Sequence, residues 1–206
     1  MNRALIVKEK QKELTRLSNG DFDAFLYDCD GTLADNMEGH KASYRAAALI
    51  YGFELNDAII DELAGWPIIQ VAEEIRKRYG VPFKPEEYAQ LKNTLYEDAF
   101  IQDTKPIDFV VAHLKAHAGK VRIGVVSGGG RVSVSRTLQQ LGITSLVEVL
   151  VCAGETSRGK PHPDPFLYAA KQLRVDPSRC LVFEDGNPGV QAAVAAGMQW
   201  IRIDQV

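Results

Sequence analysis

The chain has 206 residues, of which 46% are hydrophobic and 25% charged, and its formal net charge is −3. That length suits one ordinary domain, or one domain carrying a modest insertion, and the composition excludes a disordered or fibrous architecture. The slight acidic excess, without any block of Lys and Arg, has nothing to neutralise a nucleic-acid backbone, so no nucleic-acid partner is expected.

Three cysteines (Cys29, Cys152 and Cys180) lack paired metal-ligand spacing and fall in apolar stretches, which reads as reduced core thiols. No window approaches ~18 uninterrupted apolar residues, and the opening MNRALIVKEKQKELTR is charged where a secretory segment would be apolar. A cytoplasmic protein with no membrane partner, a monomer or weak homo-oligomer, is expected.

Residues 1–18 alternate apolar and charged positions as a helix does, and Ser18-Asn19-Gly20 stops it, giving an N-terminal extension over 1–20. The apolar run from Phe22 to Tyr27 has the length of a buried strand and ends abruptly in Asp28-Cys29-Asp30-Gly31-Thr32. Residues 37 to about 101 then contain no strand pattern. Breaks at Tyr51-Gly52, Gly65-Trp66-Pro67, Gly80-Val81-Pro82 and Lys84-Pro85 divide them into four expected helices. After Lys105-Pro106 the texture alternates between strand and helix. Strands are expected at Val121 to Val126, Val147 to Val151, Cys180 to Phe183 and Trp200 to Ile203. Val134, Leu138 and Leu141 mark one helix face between them, and Phe166, Ala169, Ala170 and Leu173 another. This is an α/β pattern with a parallel sheet. The all-helical block between its first and second strands is far longer than an ordinary connection, which implies an inserted domain.

Ligands of open α/β sheets bind at the carboxyl ends of strands, so those ends are where chemistry is sought. They carry Asp28 and Asp30, then Ser127-Gly128-Gly129-Gly130, then Gly159-Lys160-Pro161, then Glu184-Asp185-Gly186. Three carboxylate positions in one crevice repel each other unless a hard cation sits among them, and oxygen-only ligands favour magnesium. A lysine and a serine beside that cation make a phosphate site. Each residue alone has a plainer role: Asp as a turn or helix cap, Ser127 as an N-cap, Lys160 as a surface lysine, Glu184-Asp185 as complements to a helix dipole. Their co-occurrence at successive strand ends favours the functional reading. None of these motifs lies in residues 1–18, so the chemistry is expected to survive their removal.

Here the run Asp28-Cys29-Asp30-Gly31-Thr32-Leu33 resembles the DxDGT first motif of the haloacid dehalogenase superfamily. Ser127 resembles its second motif, Lys160 its third and Glu184-Asp185 its fourth, in the family's order and across nearly all of residues 22–203. The resemblance implies a Rossmann-like three-layer α/β sandwich, with a core over 21–35 and 105–206 and a helical cap over 36–104. It further implies that Asp28 is the nucleophile toward phosphorus and Asp30 the general acid and then base. Ser127 and the amides around Gly128 and Gly129 would bind the transferring oxygens, with Lys160 adding positive charge. Mg2+ would be held by the Asp28 carboxylate, the Asp30 carbonyl and Asp185, with Glu184 nearby. The substrate implied is a small phosphate ester.

The insertion's placement resembles the β-phosphoglucomutase and sugar-phosphatase branch, whose caps supply leaving-group contacts. His40, twelve positions after Asp28 (40 − 28 = 12), stands where this branch carries a histidine near the general acid. Gly65-Trp66-Pro67 stands at the specificity loop, making Trp66 a second substrate-binding candidate. Mutases carry an arginine shortly after that loop's Gly; this chain has Ile68, Ile69 and Gln70, an absence of the cationic clamp a bisphosphate needs. A sugar-phosphate phosphatase is therefore the leading expectation, a phosphohexomutase the second and a non-catalytic regulatory protein the third. His113, His117 and His162 lack ligand spacing and are expected at surface or loop positions.

Overall fold

The computed structural model describes residues 3–63 and 66–206. Gly65 of the expected specificity loop, and Met1 and Asn2 of the extension, lie outside the described residues. Two compact units emerge, one comprising the chain up to Asp35 together with Lys105–Val206, the other Asn36–Thr104.

In the first unit, among the described residues, β1 (Ala24–Tyr27) lies at the centre of a five-stranded sheet. Around it stand β4 (Arg122–Val126), β5 (Val149–Val151), β6 (Cys180–Glu184) and β7 (Gln199–Arg202), in the order β5-β4-β1-β6-β7. Every pairing is parallel. All four residues of β1 are buried, as a strand covered on both faces requires, and they alternate between two cores. Phe25 and Tyr27 pack with residues of α1 (Arg3–Leu17), α6 (Asp108–His117) and α7 (Arg131–Gln140). Ala24 and Leu26 pack with α8 (Asp164–Leu173) and α9 (Asn187–Ala195). Three layers result, helix, sheet and helix.

The short antiparallel pair β2 (Ala34–Asp35) and β3 (Lys105–Pro106) closes the first unit where the chain leaves it and returns. Two residues carry no period, which is why the sequence does not announce them. The second unit is helical: α2 (Met37–Ile50), α3 (Ala58–Glu62), α4 (Ile68–Tyr79) and α5 (Pro85–Leu95), followed by a π-helical turn at Tyr96–Phe100. Its core gathers Tyr44, Ala47, Ile59, Ile60, Val71, Ile75, Phe83 and Tyr88. Among the described residues no helix is long and apolar enough to cross a membrane.

The histidine expectation needs correction at His113, which is fully buried on α6. Its ring stacks on Phe25 at 5.5 Å and lies 2.8 Å from both the Tyr27 hydroxyl and Ser18 Oγ. Ser18 donates its own proton to the Thr15 carbonyl, so its oxygen is left to accept from His113 Nε2–H while Tyr27 donates to Nδ1. The ring is thus held neutral. Burial, with His117 beside it, pushes its pKa down to about 3. Unfolded His113 binds a proton below about pH 6.5 and the folded ring does not, so stability is lost as pH falls from ~6.5 toward 3. Between pH 7 and 5 this one group should remove about 2 kcal/mol, read by urea unfolding at both pH values. An unchanged pH slope in His113→Gln would refute the assignment.

The same contacts tie residues of the N-terminal extension into the first unit. Leu14 of α1 is fully buried in the core cluster that contains Phe25 and Tyr27. Removing the helix would open that core and leave His113 without Ser18, so the extension is structurally part of the first unit.

Candidate active site

Parallel pairing puts the carboxyl ends of β1, β4 and β6 side by side, and the motif residues follow from it. Asp28 continues β1, its amide donating to the Phe183 carbonyl at 2.9 Å. Ser127 continues β4, its amide donating to Val151 at 2.9 Å, while Glu184 is the last residue of β6. Lys160 reaches the same place from the loop between β5 and α8, through a cis Lys160-Pro161 peptide.

The Lys160 ammonium ties these ends together. It donates to Asp28 Oδ1 at 2.7 Å, to Glu184 Oε1 at 2.5 Å and to the Val126 carbonyl at 2.8 Å, with the Phe166 ring 5.2 Å away. Burial works against its charge, but Asp28 and Glu184 outweigh that and raise its pKa. Asp28 is only 7% exposed. Its burial pushes the carboxyl pKa up, Lys160 opposes, and Glu184, Asp185 and Asp30 add to the rise.

Asp185 completes the cluster, its Oδ1 accepting from Thr32 Oγ1 at 3.0 Å. Burial, then Glu184, pushes its pKa up to about 6. Two glycines permit this crowding: Gly31, at φ 86°, where a Cβ would overlap the Asp185 carboxylate, and Gly189, where one would overlap Glu184. The carboxylates of Asp28, Glu184 and Asp185 offer oxygens that all lie within 4.8 Å of one another. That all-oxygen set fits a hard divalent cation, which would relieve the repulsion that Lys160 now partly balances.

Ser127 is buried, and its Oγ accepts from the Gly129 amide at 3.0 Å. That amide, expected to face substrate, is therefore turned into the loop. A Cβ at Gly129 would stand 3.4 Å from Asp30 Oδ2, which places the glycine loop beside the second aspartate. The structure thus assembles Asp28, Asp30, Ser127, Gly129, Lys160, Glu184 and Asp185 in the first unit. His40 and Trp66 belong to the second. There His40 stacks on Tyr96 at 3.9 Å, and its Nδ1 accepts from Lys92 at 2.8 Å. Trp66 is 49% exposed. Lys92 is buried and lies over the rings of Tyr44 and Tyr96. Nothing in its α5 surroundings sets it apart in sequence from a solvated lysine.

The parallel α/β sheet thus carries an aspartate behind its central strand, facing the Lys160 ammonium and two further carboxylates. The chain belongs to the haloacid dehalogenase-like hydrolase family, whose model it matches over residues 25–203. It is 28% identical over 178 residues to the fructose-1-phosphate phosphatase YqaB of Escherichia coli, covering 86% of this chain and 94% of that one. It is 33% identical over 186 residues to a probable pseudouridine-5'-phosphatase of Drosophila melanogaster, covering 86% and 80%. Among solved structures it is similar to β-phosphoglucomutase from Clostridium difficile, with a TM-score of 0.73, 25% identity and coverage of 88% and 84%. The same fold recurs in CbbY from Rhodobacter sphaeroides, with a TM-score of 0.79, 21% identity and coverage of 88% and 85%.

Proposed function

We propose that this chain is a magnesium-dependent phosphatase of small phosphorylated metabolites, sugar phosphates foremost, with residues 21–35 and 105–206 as its catalytic core. The observation that carries the proposal is Lys160, whose ammonium holds Asp28, Glu184 and the Val126 carbonyl at one rim of the sheet. Phosphatase relatives of similar length support it.

In this reading an Asp28 carboxylate oxygen attacks phosphorus, a P–O bond to the aspartate forms, and the bond to the leaving alcohol breaks. Asp30 supplies the proton that the alcohol oxygen takes. Asp30 then accepts a proton from water, whose oxygen attacks the same phosphorus and frees Asp28 and inorganic phosphate. Ser127 and the Gly128 amide bind the phosphoryl oxygens, and Lys160 screens the charge of nucleophile and substrate. Asp28, Asp185 and the Asp30 carbonyl, with Glu184 adjacent, would hold Mg2+, which when bound offsets repulsion between anionic nucleophile and anionic ester. Residues 36–104 are assigned the role of a specificity cap, with His40 and Trp66 as first candidates for leaving-group recognition.

A turnover screen over hexose phosphates, phosphoglycolate, glycerol phosphate and nucleotides, with Mg2+ present, tests this reading. Free phosphate should appear with a preference for sugar phosphates. Chelation should abolish it, and added Mg2+ should both restore turnover and raise the unfolding temperature, because the ion binds only the folded carboxylate set. Interconversion of hexose 1- and 6-phosphates with little free phosphate would favour a mutase instead, and activity surviving exhaustive chelation would refute the metal assignment.

A further inference from the structure

The loop Ser127-Gly128-Gly129-Gly130 follows the strand that ends at the proposed phosphate-binding position, yet its three successive glycines leave Ser127 as its one side chain. A Cβ at Gly128 or Gly130 would meet nothing within 4 Å, so of the three glycines Gly129 is the one held by close packing, where a Cβ would stand 2.9 Å from Val134 Cγ2. The loop's other restraints lie at its end and across from it. Gly129 donates to Ser127 Oγ, and its carbonyl accepts from the Ala153 amide at 3.0 Å. Arg131, the first side chain after the glycines, forms a forked pair with Glu155, its Nε and Nη2 reaching the two carboxylate oxygens, the second at 2.8 Å. The same Nη2 donates to the Leu150 carbonyl of edge strand β5 at 2.7 Å, and Glu155 Oε2 also accepts from the Cys152 amide at 3.0 Å. Glu155 lies five positions before Lys160 in the same loop (160 − 155 = 5).

We infer that the Arg131–Glu155 pair is a positioning device that locks the glycine loop to the lysine loop, and so sets the shape of the phosphoryl cradle. The inference rests on the phosphatase reading. The pair is half exposed on its arginine side, where ion pairs contribute little to stability. Its effect should therefore appear in phosphate recognition and not in folding.

Arg131→Ala, Glu155→Ala, the double variant and Arg131→Lys test it in the full chain. Inorganic phosphate is the probe, read as a competitive inhibitor alongside KM for the best ester. Each alanine variant should weaken phosphate and raise KM roughly tenfold, since small misplacements of a cradle carry effects of that order. The double variant should be no worse than the poorer single one, because both remove one coupling. Arg131→Lys should recover part of the loss, as an ammonium cannot serve Glu155 and Leu150 in a planar fork. Unfolding midpoint and Mg2+ affinity should stay at wild-type values. Unchanged phosphate affinity in the alanine variants would overturn the inference, as would a loss that tracks an equal fall in stability or Mg2+ binding. A wild-type protein that neither binds phosphate nor cleaves esters would overturn the phosphatase reading itself, an outcome visible before any variant is made.

Discussion

Asp28→Asn is expected to lower phosphate release by roughly 10⁴-fold or more, because the amide keeps the shape of the carboxylate but loses the nucleophile on which both chemical steps depend. The fold should persist. Lys160 retains Glu184 at 2.5 Å and the Val126 carbonyl at 2.8 Å, so the substitution leaves no buried ammonium without an acceptor. One of the crowded carboxylates is also neutralised, and the unfolding midpoint should remain at or above that of the wild type. Circular dichroism melts paired with single-turnover assays check both halves. Near-complete turnover by a folded Asp28→Asn protein would show that another group attacks phosphorus.

Lys160→Met should damage the protein in two ways at once. Asp28 and Glu184 are 7% and 3% exposed, and both contact the ammonium directly. Removing it leaves two buried carboxylates without the ammonium that contacts both, and losing one partner of a buried ion pair costs about 3–5 kcal/mol. Asp28, which burial already pushes up and only Lys160 strongly pulls down, should then hold its proton at higher pH and lose nucleophilicity. Urea unfolding should register the stability loss, and the rate of phosphate release should fall with it. A Met variant as stable as the wild type would mean that the lysine is not what balances the cluster.

Much of the core was legible because the decisive features are local in sequence. A short apolar run that ends in charged residues marks a buried strand and its carboxyl end, and parallel pairing brings such ends together without help from anything distant. Asp28, Ser127 and Glu184 were readable for that reason. Three strands start later than their apolar runs, at Ala24, Arg122 and Val149 against the expected Phe22, Val121 and Val147, whereas β6 starts at the expected Cys180 and β7 one residue early at Gln199; ahead of β5 the Glu148 amide still donates to the Ile123 carbonyl at 2.9 Å, so pairing begins before the regular strand does. The two-residue pair β2 and β3 and the π-helical turn have no period to read.

What was not legible depends on contacts between distant positions. His113 was expected at a surface or loop position, and the partners that hold it in the core, Ser18 and Tyr27, are 95 and 86 residues away. Arg131 and Glu155, 24 residues apart, each resemble ordinary surface charges until the fold sets one loop against the other. The Gly129 amide was expected to face substrate, but a serine oxygen two residues back captures it, a competition between local and ligand hydrogen bonds that residue identities do not decide.

The most direct test of whether Asp28 is reactive toward phosphorus is trapping of the covalent intermediate. Enzyme mixed with its best phosphate ester and Mg2+ is quenched in acid within the first turnover, digested and mapped by mass spectrometry. A single phosphoryl group on the peptide carrying Asp28, lost on brief alkaline treatment as an acyl phosphate should be and missing from Asp28→Asn, is the expected result. Turnover with the phosphoryl group on a different residue, or with none trapped on any residue at any quench time, would contradict it.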